Sequence, residues 1–169
     1  MNAQAKDKAK KATSNYLYPF KLLLGEGYPS TEHFEVMQMA NGMQTGIRTR
    51  VAFDSRVCIA KISGYALSER RVHTLRLSPR IHLYDCWFTG LVMHSCNPNV
   101  FLDLHYLEAW TVRDIKAGEQ LTMDYATTED VLFRQFACQC GERNCRGWIT
   151  GSEEAPNVEG SQWYERNRR

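Results

Sequence analysis

Three cysteines stand close together near the end of the chain, at Cys138, Cys140 and Cys145. Cys138 and Cys140 are separated by one residue, which is too close for a relaxed disulfide between them. Thiolates are preferred ligands of structural zinc, and these three can wrap one ion if the chain turns at Gly141. A structural zinc takes four ligands, so a fourth must come from elsewhere. The alternative is a chance cluster of free, buried thiols.

Two earlier segments carry further candidate residues: HSCNPN at 94–99 and EQLTMDY at 119–125. Read locally, Asn97 to Asn99 form a turn, because proline fixes its φ and asparagine tolerates unusual backbone angles. His94 alone is equally compatible with a hydrogen-bonded core histidine. Tyr125 and Trp148 alone are equally compatible with ordinary packing.

In this order, the motifs resemble those of the SET-domain protein methyltransferases. Segments 94–99 and 119–125 resemble the catalytic half of that family, and the cysteines with the following GWI resemble the cysteine-rich post-SET segment of many members. The resemblance covers residues 85–151. It implies S-adenosylmethionine as cofactor, a lysine side chain of a protein as acceptor, and Tyr125 as the catalytic residue. Because the cofactor carries an activated methyl group, the enzyme must mainly align a neutral amine and exclude water, which a phenol and backbone carbonyls can do.

The same resemblance implies where the ligands bind. Cys96 becomes the fourth zinc ligand beside Cys138, Cys140 and Cys145. The cofactor-binding positions that it implies are Met93, His94, Asn97, Tyr125 and Trp148.

The chain departs from the family pattern at two places. Met93 stands where most members have an asparagine, and a thioether cannot donate the hydrogen bonds of an amide. The usual Gly-x-Gly loop is missing, and residues 42–48 are the nearest candidate. The chain therefore looks like a compact, divergent member similar to small bacterial SET proteins.

Composition narrows the class of protein. With 169 residues, 43% of them hydrophobic and 24% charged, we expect one globular domain with a core and no membrane span. The net charge is +2, but residues 1–14 hold four Lys and one Asp, so the folded body has no basic excess with which to bind nucleic acid. The start lacks an apolar signal segment, which predicts a cytoplasmic protein, or a nuclear one in a eukaryote. In such a reducing compartment, Cys58 and Cys86 are expected to be buried, unreactive thiols.

Short β-branched or apolar runs separated by turns predict a mostly β fold. From this pattern alone a sandwich, a barrel and a less regular fold stay open, and the resemblance selects the SET fold: small curled sheets in which segments 94–99 and 120–125 cross in a knot-like arrangement. One short helix is predicted from Thr127 or Thr128, with Glu129 and Asp130 in its first turn. The predicted strands are 34–39, 47–53, 57–62, 73–77, 81–84, 100–104, 108–112 and 120–123. The predicted division is a disordered tail at 1–14, a SET domain at 15–135, a post-SET zinc segment at 136–151 and a C-terminal tail at 152–169.

Three functions are compatible with these residues. The favoured one is methylation of a protein or peptide lysine. The second is an enzyme of the same fold that acts on a small molecule, or uses the methionine part of the cofactor as a lyase or cyclase would. The third is a binding module with a decayed pocket. Substrate identity and oligomeric state are left open by the sequence.

Overall fold

Five small sheets form the β structure of the computed structural model, which describes residues 15–20, 27–38 and 44–167. The predicted tail at 1–14 lies outside the described residues. The strands are β1 Phe34–Gln38, β2 Gln44–Thr49, β3 Cys58–Lys61, β4 Tyr65–Leu67, β5 Thr74–Ser78, β6 Ile81–Tyr84, β7 Met93–His94, β8 Val100–Asp103, β9 Glu108–Thr111, β10 Thr122–Met123, β11 Phe136–Ala137 and β12 Trp148–Ile149. The described residues also include two 3₁₀ turns, Thr89–Leu91 and Tyr125–Thr127, and one α-helix, α1 Val158–Asn167.

Most strand neighbours are antiparallel. The hairpin β1-β2, the pair β11-β12 and the three-stranded sheets β3-β9-β8 and β4-β6-β5 are all of this kind. The exception is the parallel pair β7-β10, which joins segments about thirty residues apart in sequence. This pairing confirms the predicted mostly β architecture and the predicted meeting of the two segments.

The sheets share one apolar core. Phe34 of β1 and Phe88, whose ring centroids lie 5.0 Å apart, are both fully buried. Ile47, Leu75 and Leu121 join them from three other parts of the chain. Fully burying one such side chain contributes about 1.5–3 kcal/mol, so these contacts hold together sheets that are too small to be stable alone.

Most predicted strands are present, with shifted ends. The strand predicted at 81–84 is confirmed in full. The strand predicted at 47–53 is wrong beyond Thr49, because the observed strand β2 runs from Gln44 to Thr49, where it pairs with β1. The strand predicted at 120–123 is reduced to β10. Cys58 is exposed, contrary to prediction: it begins β3, where the pairing register with β9 shifts, and Ile59 and Ala60 are the buried residues of this strand.

The helix predicted from Thr127 or Thr128 is wrong. Side chains take the backbone N–H groups there, with Asp130 accepting from its neighbour Val131 and Glu154 accepting from Leu132. The carbonyls of Glu129 and Asp130 accept from the backbone of residues 152 and 153, so the bonds of a helix cannot form.

The C-terminal tail predicted at 152–169 is wrong for residues 158–167, which form α1. Asn157 caps this helix by accepting from the Gly160 N–H at 2.9 Å. Glu159 in its first turn and Arg166 in its last suit the helix dipole. Gly160 is buried because the Trp148 indole lies against it and leaves no room for a Cβ. The helix therefore packs on the β11-β12 pair.

Asp85 organises the turn that leads into β7. Its side chain is fully buried, and its Oδ1 accepts from the N–H groups of Trp87 and Phe88. Its Oδ2 accepts from the N–H and hydroxyl of Thr89 and, at 2.9 Å, from the hydroxyl of Tyr18. One carboxylate thus satisfies five hydrogen-bond donors.

We expect Asp85→Asn to reduce the free energy of unfolding by roughly 3 kcal/mol, because an amide NH₂ would face donors and leave them unsatisfied in the interior. Urea unfolding followed by circular dichroism measures this loss. Asp103→Asn is the matched control, since Asp103 also accepts two backbone N–H groups but in an exposed turn. Equal losses in the two variants would contradict the central role of Asp85.

Candidate active site

The parallel pair β7-β10 sets Met93 beside Thr122 and His94 beside Met123. Tyr125 lies two residues after the end of β10, and its backbone N–H donates to Nδ1 of His94 at 3.3 Å. Burial lowers the pKa of His94 to about 4, against the opposing charge of Asp124, so its ring is neutral and can accept this bond. The histidine thus positions the backbone that carries Tyr125.

Asn99 holds together segments 94–99 and 119–122 where they cross at the β7-β10 pair. Its side chain is 1% exposed, and its Oδ1 accepts from the N–H of Thr122 at 2.8 Å. Its Nδ2 donates to the carbonyl of Gln120 at 2.8 Å and to the carboxylate of Glu119 at 3.1 Å. One amide therefore uses both its ends to hold segment 119–122 against segment 94–99.

The hydroxyl of Tyr125 donates to the carbonyl oxygen of Val92 at 3.0 Å. Burial raises the pKa of Tyr125 to about 12, so the phenol stays protonated at neutral pH. It can orient a reacting group by hydrogen bonding, but it cannot act as a base there.

The four cysteines predicted to bind metal come together. The sulfurs of Cys96, Cys138, Cys140 and Cys145 all lie within 4.8 Å of one another. Tetrahedral zinc with bonds of about 2.3 Å places its sulfur ligands roughly 3.8 Å apart, so the cluster fits the ion after slight contraction. A four-thiolate set also suits zinc better than it suits a hard cation.

Polar contacts tie this cluster to the crossing. The N–H of Arg146 donates to the sulfur of Cys96 at 3.3 Å, and the Arg146 guanidinium pairs with Asp124. Asp124 also caps the 3₁₀ turn that begins at Tyr125. The side chain of Asn97 donates to Glu142 at 3.2 Å. The cysteine segment therefore rests on the strands that carry the candidate catalytic residue.

Two cavities adjoin at Tyr125. One, of about 370 Å³, is mostly apolar, and residues 71–75, 90–93 and 132–134 supply most of its lining. The other, of about 570 Å³, is more polar and lies between residues 93–99, 119–122 and 136–142. Both are lined by Met93, Tyr125 and Phe136, so these three residues stand between the two cavities.

The structure brings four of the predicted cofactor residues to these cavities and leaves one apart. Met93 and Tyr125 line both, while His94 and Asn97 line the polar one. Trp148 is absent from both linings; it is buried against α1, and its indole N–H donates to Gln135 at 3.0 Å.

Phe136 and Glu129 line the cavities but were not predicted as site residues, whereas Gly46 lies within the Gly-x-Gly candidate predicted at 42–48. Phe136 lines both, and its place just ahead of the Cys-x-Cys pair was the available signal. Glu129 is a buried acid in the apolar cavity, where a helix surface was expected. Gly46 has φ +152°, and a Cβ there would come within 3.3 Å of the Met93 side chain. This glycine approaches the site from the region where the Gly-x-Gly candidate was placed.

No helix among the described residues combines the length and apolar character needed to cross a membrane.

Comparisons with known proteins agree with this geometry. Methyltransferase flvH of Aspergillus flavus is 27% identical over 126 residues, covering 73% of this chain and 71% of that protein. Histone-lysine N-methyltransferase ASHR3 of Arabidopsis thaliana is 37% identical over 95 residues, covering 50% of this chain. The chain spans only 19% of the length of the Arabidopsis protein.

The fold is also shared with a solved structure. The crystal structure of KRYPTONITE in complex with mCHH DNA, an H3(1–15) peptide and SAH matches with a TM-score of 0.51 and 20% identity, covering 68% of this chain and 29% of that one. A family model described as the SET domain matches residues 4–126, which reach from the N-terminal region through Tyr125. The chain therefore belongs to the SET-domain family of methyltransferases.

Proposed function

We propose that the protein transfers the methyl group of S-adenosylmethionine to the amine of a lysine side chain in a protein or peptide. The observation that carries this proposal is the junction of two separate cavities at Tyr125. Methyl transfer to an amine is an in-line displacement, so donor and acceptor must approach one point from different directions.

The cofactor is assigned to the polar cavity and to the junction beside Gly46. When bound, S-adenosylmethionine supplies a methyl group already activated by the sulfonium. His94 and Asn97 border the polar cavity, and the aromatic ring of Phe136 can cover a flat adenine. Gly46 leaves room beside Met93 for a close approach of the backbone.

The acceptor is assigned to the apolar cavity. Its wall includes β5, which is an outer strand of its sheet and can pair with an extended chain. Exposed apolar side chains of Val72 and Phe133 also border it. A lysine stem is apolar along its length, so it suits such a lining while its nitrogen reaches Tyr125. The lysine methyltransferase named above and the H3 peptide in the KRYPTONITE complex support a peptide substrate.

Tyr125 is proposed to align the acceptor. Its hydroxyl is already held by the carbonyl of Val92, so the phenol and that carbonyl present a fixed polar pair at the cavity junction. Both groups are in place before the substrate arrives, which lowers the entropic cost of reaching the reactive geometry.

One observation supports a small-molecule acceptor as a second candidate. The Aspergillus protein is of similar length to this chain, and its name states a methyltransferase without a lysine substrate. A cavity of about 370 Å³ can also enclose a small amine. Free amines tested beside lysine peptides separate the two candidates.

We further propose that residues 136–151 form a post-SET segment in which Cys96, Cys138, Cys140 and Cys145 bind one zinc ion. The four-sulfur cluster and its fit to zinc support this proposal. The ion would fasten Phe136, two residues before Cys138, over the cavity junction.

We expect Tyr125→Phe to lower kcat by about 100-fold or more while the affinity for S-adenosylhomocysteine changes less than about twofold, because its hydroxyl acts on alignment at transfer. Steady-state kinetics with a lysine peptide and calorimetric titration measure the two quantities. Tyr106→Phe is the matched control, since Tyr106 is 70% exposed and lies outside both cavities. A fully active Tyr125→Phe would remove Tyr125 from the proposed site.

Freshly purified protein should contain one zinc per chain by elemental analysis. Because metal binding orders a short cysteine segment, a chelator should increase hydrogen exchange in residues 136–151 and in α1 before the β3-β9-β8 sheet opens. Cys140→Ser should reproduce this loosening, whereas Cys58→Ser, at an exposed cysteine outside the cluster, should not. Zinc-free protein with full protection of the segment would refute the site.

A further inference from the structure

Glu129 is a buried acid in the apolar cavity, and the roles proposed above do not involve it. Glu129 is 7% exposed and lines the cavity together with Tyr125 and Met123. A carboxylate in such a place must be paired, protonated or functional, because burying an unpaired charge is costly.

The ion pair that Glu129 makes with a neighbouring arginine is long. The Oε1 of Glu129 accepts from the backbone N–H of Arg76 at 2.9 Å, and its Oε2 lies 4.0 Å from Nε of Arg70. The shorter ion pairs of both arginines go to Asp130, at 2.7 Å from Arg70 and 2.9 Å from Arg76. The ion pair of Glu129 with Arg70 is therefore longer than those that both arginines make with Asp130, and the Thr128 side chain also hydrogen-bonds to Glu129.

Other titratable groups face this region from neighbouring strands. His82 of β6 is buried near Arg70, Arg76 and Asp130, and burial lowers its pKa. His73 lines the cavity and is engaged through Nδ1 by the carbonyl of Gly90 at 2.7 Å. Burial raises the pKa of Glu129 to about 7, although the Arg76 N–H and the Arg70 charge oppose the shift.

Glu129 is within reach of the junction. Its backbone N–H donates to the carbonyl of Tyr125 at 2.9 Å, which closes one helical turn between them. Residues four apart in such a turn have Cβ atoms about 5–6 Å from each other. Glu129 and Tyr125 are therefore linked within one turn of the chain, and both line the apolar cavity.

The proposed reaction requires a proton acceptor. A lysine amine has a pKa of about 10.4 and is an ammonium at neutral pH, with no lone pair for attack. Tyr125 stays protonated and donates to Val92, so its phenol cannot take that proton.

We propose that Glu129 takes the proton from the ammonium of the acceptor in the apolar cavity. One N–H bond breaks, its electron pair stays on nitrogen, and the proton joins a carboxylate oxygen of Glu129, giving a neutral amine and a neutral carboxylic acid. This inference rests on the proposed function. It assigns a catalytic role to a residue that local sequence patterns place on a helix surface.

A purely structural role makes a different prediction. In that case Glu129 only anchors β5 through the Arg76 N–H. Glu129→Gln keeps a carbonyl oxygen for that bond and removes the ability to bind a proton. The pH dependence of this variant therefore distinguishes proton transfer from anchoring.

The first test compares pH profiles of kcat/KM from pH 5 to 10, with an H3(1–15) peptide and free L-lysine as acceptors. The wild-type value should rise with a midpoint near pH 7 and then level off. Glu129→Gln should be about 1000-fold slower at pH 7 and gain roughly tenfold per pH unit above it, since only the scarce free amine can react. The two profiles should converge near the pKa of the amine.

Asp130→Asn is the matched control. It removes a neighbouring carboxylate and its two ion pairs, but Asp130 does not line the cavity. This variant should keep the level profile above pH 8.

A second readout needs no turnover. Because the folded-state pKa of Glu129 lies above the ordinary value of 4.5, its stabilising contribution is present below pH 4.5 and lost as pH rises through about 7. Glu129→Gln stays neutral, so its Tm relative to wild type should rise by roughly 5 °C between pH 5 and pH 8.5.

The outcomes separate the claims. Wild-type protein that methylates neither acceptor would overturn the proposed function and this inference with it. Methylation by wild type with a parallel profile in Glu129→Gln would overturn the inference alone. If that variant does not fold, a wild-type profile without a rise near pH 7 has the same consequence.

Discussion

The parallel pairing of β7 with β10 is the interaction on which the rest of the site depends. It consists of two residues on each strand, too few to be stable by themselves. Asn99 stabilises this pair, because its backbone N–H and its side-chain amide form hydrogen bonds with four groups of segment 119–122. With this crossing in place, His94 meets Tyr125, and the carbonyl of Val92 meets the phenol. The polar interior therefore specifies the geometry that the apolar core alone could not.

A second layer of contacts extends from the crossing to the end of the chain. Cys96 belongs at once to the 94–99 segment and to the sulfur cluster. Farther along, Gln135 accepts from the indole of Trp148 at 3.0 Å and from the N–H of Asn157 at 2.8 Å, where α1 begins. The ring of Trp163 lies against Gly147, whose φ of +79° favours glycine. Residues 136–167 thus form one connected cover beside the cavities.

Local sequence signals were sufficient where an element has its own pattern. β6 could be predicted to the residue, because a short apolar run lies between clear turns. The clustering of Cys138, Cys140 and Cys145 could likewise be read from spacing, and the resemblance supplied Cys96. β7, β11 and β12 could not be predicted from periodicity, since two residues carry no period.

Other misses have a common physical cause in tertiary contacts. Thr128, Glu129 and Asp130 have the composition of a helix start, but residues 152–154 bond to this segment and prevent the helix. The polar stretch of α1 looks like a tail until Gly160 is placed against Trp148. Asn157, Glu159 and Arg166 were readable helix signals that the charged composition obscured. The burial of Glu129 has no local signature.

Tyr125 is proposed to lie where the methyl group of the cofactor is transferred to an amine. The most direct measurement is mass spectrometry of all products after incubation with S-adenosylmethionine and lysine acceptors. We expect S-adenosylhomocysteine to form in the same molar amount as the methyl groups found on the acceptor nitrogen. Formation of 5′-methylthioadenosine instead, with no methylated amine, would contradict it.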